Sequence, residues 1–142
     1  MTDPAARTGV LRDAMHAAVT GDAALIERAY TEDVTGWSPV MEVSSRDELT
    51  ADLRGRSGAF SGIDLVLDPV EAVGDKLIAE WRVAATHTGV LALDDGVAVE
   101  PTGRRLELRG VVIAEFEGDR IRSFRQYWNE VELVDGLGLL PV

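Results

Sequence analysis

A change of hydrophobic period near Ile63 constrains the fold of this 142-residue chain more than any other feature. Before Ile63, apolar residues recur at the three- and four-residue spacing of helices. After it, they alternate with polar residues, as on a half-buried strand. Helical and extended segments are therefore segregated along the chain, which is typical of the α+β class. We expect three N-terminal helices packed on one face of a strongly curved antiparallel sheet.

Caps and turns set the limits of these elements. Asp22 is a predicted N-cap, and Ser45 with Glu48 forms a capping box. The predicted helices cover residues 4–19, 23–30 and the segment from Ser45 to 55–58. Extended pieces are predicted over 34–37 and 41–43, and the strands of a four-stranded antiparallel meander begin at Ile63, Lys76, Arg104 and Arg120. Asp94-Asp95-Gly96 is a turn signal, and the tail 131–142 indicates a short helical turn and an apolar flap.

The segment from Val111 to Ala114 is apolar on both faces. This pattern is typical of a strand that is covered on both sides. The helices cover one face, and a second copy of the chain would cover the other. We therefore expect a homodimer that forms through the outer face of the sheet.

Composition limits the possible partners. The chain has 14 Lys and Arg residues against 25 Asp and Glu residues, a net charge of −11, so we expect neither nucleic acid nor membrane as partner. Cysteine is absent and His16 and His87 lack metal-ligand spacing, so we expect no metal and no cofactor. No apolar run reaches the roughly 18–20 residues of a membrane helix, and the N-terminus lacks signal-peptide features. We expect one cytoplasmic domain, residues 1–142.

The last predicted strand carries the main functional signal. Phe124, Gln126 and Trp128 share one face of it, and an amide between two aromatic side chains is unusual on a solvated surface. We interpret this face as the wall of an apolar pocket for a small molecule.

Several motifs connect the chain with a known family. They are Thr20-Gly21-Asp22, THTG (Thr86 to Gly89), PTGRR (Pro101 to Arg105), the FEGDRI turn, RQYWN (Arg125 to Asn129) and the ending Leu137 to Pro141. In these motifs the chain resembles the SnoaL-like polyketide cyclases. Those belong to the nuclear-transport-factor-2-like superfamily, together with ketosteroid isomerases and limonene-epoxide hydrolases. The resemblance implies a cone-shaped fold, in which a curved sheet wraps helices around a deep apolar pocket.

The resemblance also implies where catalytic groups would stand. The acid/base aspartate of SnoaL-like cyclases falls at Gln126 and their histidine at Val112. The arginine of the epoxide hydrolases matches Arg82, while their acids fall at Ala84 and Gln126. The base of ketosteroid isomerases lies near Ser38. Because an amide does not titrate, Gln126 can orient or polarise an oxygen but cannot act as a base.

The candidate catalytic residues are therefore Gln126 and Arg82. The residues expected to contact substrate are Trp37, Ala84, Leu108, Gly110, Val112, Phe124, Trp128 and Asn129. The orientation of Arg82 has two interpretations: alternation turns it to solvent and Trp81 and Val83 inward, whereas the resemblance places it inside. An inward guanidinium would need a carboxylate such as Glu80.

Two further questions stay open on the sequence. A carboxylate such as Glu80, Glu42 or Asp33 that reached the pocket would be the missing base. In the alternating pattern of its strand, His87 points to the same face as Trp81 and Val83. This favours hydrogen bonding at a strand end or an interface over catalysis.

The leading functional hypothesis is a cyclase or isomerase that acts on a polyketide-like or polycyclic substrate. It would work by orientation and hydrogen bonding rather than through an aspartate. The alternatives are a non-catalytic small-molecule binding protein, a dimeric module whose cavity its own tail fills, and an epoxide hydrolase with a non-standard carboxylate.

Overall fold

The computed structural model describes residues 4–92 and 96–139 and confirms the α+β class. The helices are α1 (Pro4–Thr20), α2 (Ala23–Ala29), α3 (Arg46–Leu53), which continues into a 3-10 turn (Arg54–Arg56), and α4 (Glu130–Gly136). The strands are β1 (Tyr30–Ser38), β2 (Met41–Val43), β3 (Phe60–Val73), β4 (Lys76–His87), β5 (Leu91–Ala92), β6 (Ala98–Val99), β7 (Arg105–Glu117) and β8 (Arg120–Trp128). The predicted turn at Asp94-Asp95 and the last residues of the predicted flap, 140–142, lie outside the described residues.

Both predicted helix caps are present. The Asp22 carboxylate accepts hydrogen bonds from the backbone N–H groups of Ala24 and Leu25, at 2.9 and 3.3 Å. The Ser45 hydroxyl accepts from the Glu48 N–H at 3.1 Å, and the Glu48 carboxylate accepts in return from the Ser44 N–H at 2.7 Å. These bonds satisfy donors at the starts of α2 and α3 that have no partner within the helix.

The sheet is larger than the predicted four-stranded meander. Six strands lie in the order β2-β1-β8-β7-β4-β3, with every pair antiparallel except β1 and β8. β1 also begins earlier than predicted, because the backbone at Tyr30 is already extended (φ −121°, ψ 149°). The parallel pairing joins segments that are far apart in sequence, so no local pattern indicates it.

The sheet has an inner face, which the helices cover, and an outer face. Residues paired across neighbouring strands point to the same face. Trp81, Gly110 and Trp128 form one inner row, and Arg82 pairs with Arg109 on the outer face. Register shifts in the β3–β4 and β7–β8 pairs mark bulges, which bend and twist a sheet. The curved inner face can therefore wrap around α1, α2 and α3.

A smaller apolar cluster closes one end of the inner face. It contains Ala59, Leu91, Leu106 and Leu137, so it joins α4 to β7. His87 is fully buried nearby, and its Nδ1 accepts a hydrogen bond from the Thr102 N–H at 3.1 Å. The expected strand-end hydrogen bond of His87 is confirmed. Within the described ranges, no helix is long and apolar enough to cross a membrane.

Candidate functional site

A cavity of about 470 Å³ lies between the inner face of the sheet and the helices. Its sheet wall is formed by Trp81, Val83, Ala85, Leu106, Leu108, Phe124, Gln126 and Trp128. Its helix wall includes Met15, Ala18 and Val19 of α1 and Leu49, Asp52, Leu53 and Arg56 of α3 and the turn after it. Tyr30 and Ser38 of β1 and Leu133, Val134 and Leu137 at α4 also contribute. Most of these side chains are apolar, which is usual for a small-molecule site.

A hydrogen bond across three strands builds the sheet wall. Trp81 lies on β4 and Gln126 on β8, with β7 between them, so their backbones are about 10 Å apart. The Trp81 indole crosses β7 at Gly110, and its Nε1–H donates to the Gln126 Oε1 at 2.9 Å. A Cβ atom at Gly110 would clash with the Tyr127 carbonyl oxygen and lie 2.6 Å from the Trp81 Cζ2, so only glycine fits between the strand and the indole.

The Gln126 amide is thereby held in one orientation. Its oxygen accepts from Trp81, which turns its Nε2 towards the Met15 Sδ at 3.1 Å. A thioether sulfur is a weak acceptor. The amide can therefore donate a stronger hydrogen bond to a ligand oxygen that takes the place of the sulfur.

Polar side chains also line the cavity at the start of β1 and in the turn after α3. Tyr30 is 5% exposed and packs against the Phe124 ring, with ring centroids 5.6 Å apart. Burial raises the pKa of the Tyr30 hydroxyl, and the positive charge of Arg56 opposes this shift. The Arg56 guanidinium donates to the Ala18 carbonyl in the last turn of α1, at 2.6 Å.

The sequence interpretation missed the polar residues of the helix wall. Leu49, Asp52, Leu53 and Arg56 recur at the three- and four-residue spacing of one helix face. Leu49 and Leu53 are apolar and buried. Asp52 and Arg56 share their helix face, so they must also face inward or lie at the edge of the core. This spacing could have indicated Asp52 and Arg56 as residues of the site.

Four of the predicted site residues line the cavity: Leu108, Phe124, Gln126 and Trp128. Val112 and Gly110 are on the inner face of the sheet but do not line the cavity. Val112 is only 1% exposed within the core, and the Trp81 indole covers Gly110. The space expected at Gly110 is thus filled by the protein itself.

Arg82 and Ala84 are not in the cavity, so the predicted placement of Ala84 is wrong, and of the two interpretations of Arg82 the one that turns it to solvent holds. They pair with Arg109 and Glu107 of β7, on the outer face. Glu80 lies on the same outer face, beside Val111. Alternation along β4 gives the correct orientation, and the correspondence with the epoxide hydrolases does not hold at these positions.

Trp37 and Asn129 are also placed differently from the prediction. Trp37 is 41% exposed on the outer face and packs against Tyr127, with ring centroids 5.4 Å apart. The Asn129 side chain caps α4 by accepting from the Val131 N–H at 2.9 Å. Asp33 and Glu42, which the sequence left as candidate bases, are exposed. Among the residues that the structure describes, the carboxylates that line the cavity are Asp52 and Glu130.

Solved structures share this fold over nearly the whole chain. TsrD from Streptomyces laurentii is 18% identical with a TM-score of 0.77, over 99% of this chain and 100% of that one. AclR from Streptomyces galilaeus, proposed to be a hydroxylase, is 25% identical with a TM-score of 0.74, over 98% and 100%. IdmH from Streptomyces antibioticus, proposed to be a polyketide cyclase, is 17% identical with a TM-score of 0.70, over 93% and 98%.

The family is shown by the sequence. A comparison with curated proteins finds no match. The family model of the SnoaL-like domain, however, matches residues 11–124, which is most of the chain. The structures above carry the same arrangement of helices on a curved sheet. The chain therefore belongs to the SnoaL-like domain family, within the nuclear-transport-factor-2-like fold.

Proposed function

We propose that this protein binds a flat, largely apolar small molecule in the cavity and promotes its cyclisation or isomerisation. The observation that carries the proposal is the Gln126 amide, which the Trp81 hydrogen bond fixes in the wall of a 470 Å³ apolar cavity. A half-buried amide with a fixed orientation can recognise one oxygen of a ligand. Polyketide-like and polycyclic molecules carry such oxygens on apolar skeletons.

The proposed mechanism relies on orientation and on one hydrogen bond. The Gln126 Nε2–H donates to a carbonyl or developing oxyanion of the ligand, in place of its weak contact with the Met15 sulfur. The apolar walls hold the skeleton in a shape in which its reacting atoms are close. Such positioning contributes up to about 7–11 kcal/mol in favourable intramolecular reactions.

Non-catalytic binding is the second candidate, and two observations favour it. The Gln126 oxygen is already engaged by Trp81, and an amide does not titrate near neutral pH, so it cannot act as an acid or a base. Arg82, the other predicted catalytic residue, is on the outer face. The same cavity would then carry a ligand without converting it.

Epoxide hydrolysis has weaker support. Asp52 and Glu130 line the cavity, so a carboxylate is present that could activate water. An LEH-like epoxide hydrolase from M. tuberculosis shares the fold, at 15% identity and a TM-score of 0.67 over 94% of this chain and 90% of that one. Incorporation of labelled oxygen from water into a diol product would favour this reaction over cyclisation.

The experiment has a binding step and a turnover step. A panel of anthraquinones, linear polyketide mimics and polyene terpenoids is screened by thermal shift and native mass spectrometry. Each bound compound is then incubated with the protein, and products are separated by liquid chromatography and mass spectrometry. An isomer of unchanged mass, or a product that has lost one water, is the expected result.

Matched variants assign the role of the amide. Gln126→Leu keeps the approximate size of the side chain and removes the hydrogen bond, and turnover should fall about tenfold to a hundredfold. Arg82→Ala, on the other face of the same sheet, should leave turnover unchanged. Equal turnover in both variants and in the wild type would contradict the role of Gln126. Saturable binding without any product would support the second candidate.

We also propose that two copies of the chain associate through the outer face. Trp37 and Tyr127, which pack together, are 41% and 45% exposed, and Val66 is exposed on the same face. Val111 and Ile113 of β7 lie half-buried between these residues. A second copy would remove this apolar surface from water.

Light scattering after size-exclusion chromatography tests the dimer. The wild type should have twice the mass of one chain, and Tyr127→Glu combined with Ile113→Arg should have the mass of a single chain. The control is Val70→Glu, which changes an exposed valine elsewhere on β3. A wild type that has the mass of one chain at every concentration would contradict the proposal.

A further inference from the structure

A second polar side chain of the sheet wall lies next to Gln126, on the neighbouring strand. β1 and β8 run parallel, and Trp37 of β1 is paired with Arg125 of β8. Ser38 and Gln126 are the next residues of the two strands, so their backbones are about 5 Å apart. Both line the cavity, and Ser38 is only 6% exposed. The wall therefore carries a hydroxyl and an amide side by side.

We propose that the Ser38 hydroxyl and the Gln126 amide together bind one carbonyl oxygen of the ligand. The inference rests on the proposed function of the cavity and specifies its substrate class. The ligand is then a flat, largely apolar molecule with a ketone or quinone oxygen on its ring system, rather than a hydrocarbon. Ser38 is the second residue that binds this oxygen, beside the amide.

The neighbours of Ser38 show which way its side chain points. A Cβ atom at Gly36 would collide with the Phe124 ring, which lines the cavity, so the inner face of β1 is on this side. Trp37, the next residue, is exposed on the outer face. Side chains alternate along a strand, so Ser38 points to the same side as Gly36. Its hydroxyl therefore faces the cavity, in agreement with its burial.

The hydrogen bonds of Ser38 leave its proton available to a ligand. A hydroxyl can both accept and donate. The Ser38 Oγ accepts from the Val40 N–H at 3.3 Å, in the turn between β1 and β2. Among the described residues, none accepts a hydrogen bond from this hydroxyl. The turn thus uses the hydroxyl as an acceptor, and its donor function remains for the cavity.

The Gln126 amide is arranged in the same sense. An indole N–H can only donate, so the amide atom 2.9 Å from the Trp81 Nε1 is the oxygen, and the nitrogen is turned away. That nitrogen contacts the Met15 sulfur, which is a weak acceptor. Within the described structure no hydrogen bond joins Ser38 to Gln126. Each of them therefore keeps a donor for a third partner.

Two neighbouring donors suit an oxygen that accepts two hydrogen bonds. A carbonyl oxygen has two lone pairs and can accept from both side chains at once. A hydrocarbon at this place would leave both donors without a partner, which is unfavourable in a buried site. If the carbonyl becomes an enolate during the proposed reaction, the same two donors stabilise its negative charge more strongly.

The test compares two flat probes with one skeleton. Fluorenone carries a ring carbonyl, and fluorene is the same skeleton without it. Their affinities are measured by displacement of the neutral fluorescent dye N-phenylnaphthylamine. Ser38→Ala should weaken the binding of fluorenone about fivefold, as expected for the loss of one hydrogen bond, and leave the affinity for fluorene unchanged.

Matched variants assign this loss to the hydroxyl. Ser123→Ala removes a hydroxyl from the outer face of β8, where Ser123 pairs with Glu115, and should change neither affinity. Ser38→Thr keeps the hydroxyl and should retain most of the affinity for fluorenone. Gln126→Leu should weaken fluorenone about as much as Ser38→Ala. If Ser38→Ala does not fold, Ser38→Cys takes its place, because a thiol is a weaker donor.

The infrared carbonyl band of bound fluorenone reports the two hydrogen bonds directly. Each donor lowers the stretching frequency of the carbonyl group. The band should therefore lie lower in the wild type than in Ser38→Ala or in Gln126→Leu, which each lack one donor. A merely structural role of Ser38 in its turn would not move this band.

Each outcome has a distinct meaning. An unchanged fluorenone affinity and carbonyl band in Ser38→Ala, together with a loss in Gln126→Leu, overturn the inference and leave the proposed function intact. Equal weakening of fluorenone and fluorene in Ser38→Ala also overturns it, because Ser38 would then act only through the shape of the turn. Fluorenone binding that neither variant changes, or the failure of both probes to bind saturably, overturns the inference and the proposed function together.

Discussion

The two faces of β4 differ in almost every respect, although their residues alternate along one strand. The inner residues Trp81, Val83 and Ala85 are buried and line the cavity. The outer residues Glu80 and Arg82 are exposed and face Arg109 and Val111 of the next strand. Whether a residue of β4 can contact a ligand thus depends on which of the two alternating faces its side chain points to. A shift of one position moves a side chain from the site to the surface.

The orientation of Arg82 follows from the free energy of burial along β4. Hydrophobic alternation along β4 gave the correct orientation of Arg82, because burying Trp81 and Val83 is favourable whereas burying an unpaired guanidinium is costly. The resemblance to the epoxide hydrolases gave the wrong orientation. Alternation and resemblance disagree about Arg82, and its orientation is the one that the free energy of burial favours.

The largest difference between the faces is expected at the end of β7. Phe116 is fully buried, and the Arg7 guanidinium lies 5.2 Å from its ring centroid. Phe116→Ala should lower the free energy of unfolding by about 3–5 kcal/mol, because it leaves a cavity. Its neighbour Glu115 makes only surface ion pairs with Lys76 and Arg122, so Glu115→Ala should cost below about 1 kcal/mol. If Phe116→Ala and Glu115→Ala had similar midpoints in guanidinium denaturation, the expected difference between the inner and the outer face would be contradicted.

The next effect is expected at Gly110. Gly110→Ala places a Cβ against both the Tyr127 carbonyl oxygen of β8 and the Trp81 indole, and should destabilise the protein by about 1–3 kcal/mol through overpacking. The near-ultraviolet circular dichroism of the indole should change with it. Arg109→Ala, the neighbour on the outer face, should stay within about 0.5 kcal/mol of the wild type. An unchanged dichroism spectrum in Gly110→Ala would show that the position of the Trp81 indole does not depend on the absence of a side chain at residue 110.

A smaller effect measures the Trp81–Gln126 hydrogen bond directly. A double-mutant cycle of Trp81→Phe and Gln126→Leu should give a coupling of about 1 kcal/mol, the usual contribution of a part-buried hydrogen bond. The control cycle replaces Gln126→Leu with Arg125→Leu, on the outer face, and should show no coupling. Equal coupling in the two cycles would mean that the bond adds nothing specific.

The smallest effect concerns pH. Burial raises the pKa of Tyr30 in the folded protein above its usual value of about 10. The contribution of its neutral hydroxyl is therefore complete below about pH 10 and is lost as the pH rises, since the unfolded chain ionises first. Thermal unfolding between neutral and strongly alkaline pH should show a shallower fall for Tyr30→Phe than for the wild type. In Tyr127→Phe, on the outer face, the thermal stability should fall with rising pH as much as in the wild type.

Local signals were sufficient for the elements and insufficient for their assembly. The caps at Asp22 and Ser45 and the alternation in β4, β7 and β8 identify those elements, because each depends on neighbouring residues. The parallel pairing of β1 with β8 depends on residues about ninety positions apart, and no sequence period records it.

The site was predictable on one wall only. Phe124, Gln126 and Trp128 line the cavity as expected, because an amide between aromatic side chains is unusual on a surface. Asp52 and Arg56 were missed, because charged residues on a helix normally face solvent. Trp37 was misplaced, since an aromatic side chain can bury its area equally well in a pocket or in an interface.

The placement of the two ends of the described chain has a practical consequence. Arg7, near the start of α1, bonds to Gly74, Asp75 and Gly118 at the hairpin turns. Leu137, just after α4, is part of the cavity wall, and Leu139 lies beside it. Immobilisation or fusion through the beginning of α1 should therefore leave ligand access unchanged, whereas a carrier attached behind α4 would compete with the ligand for space.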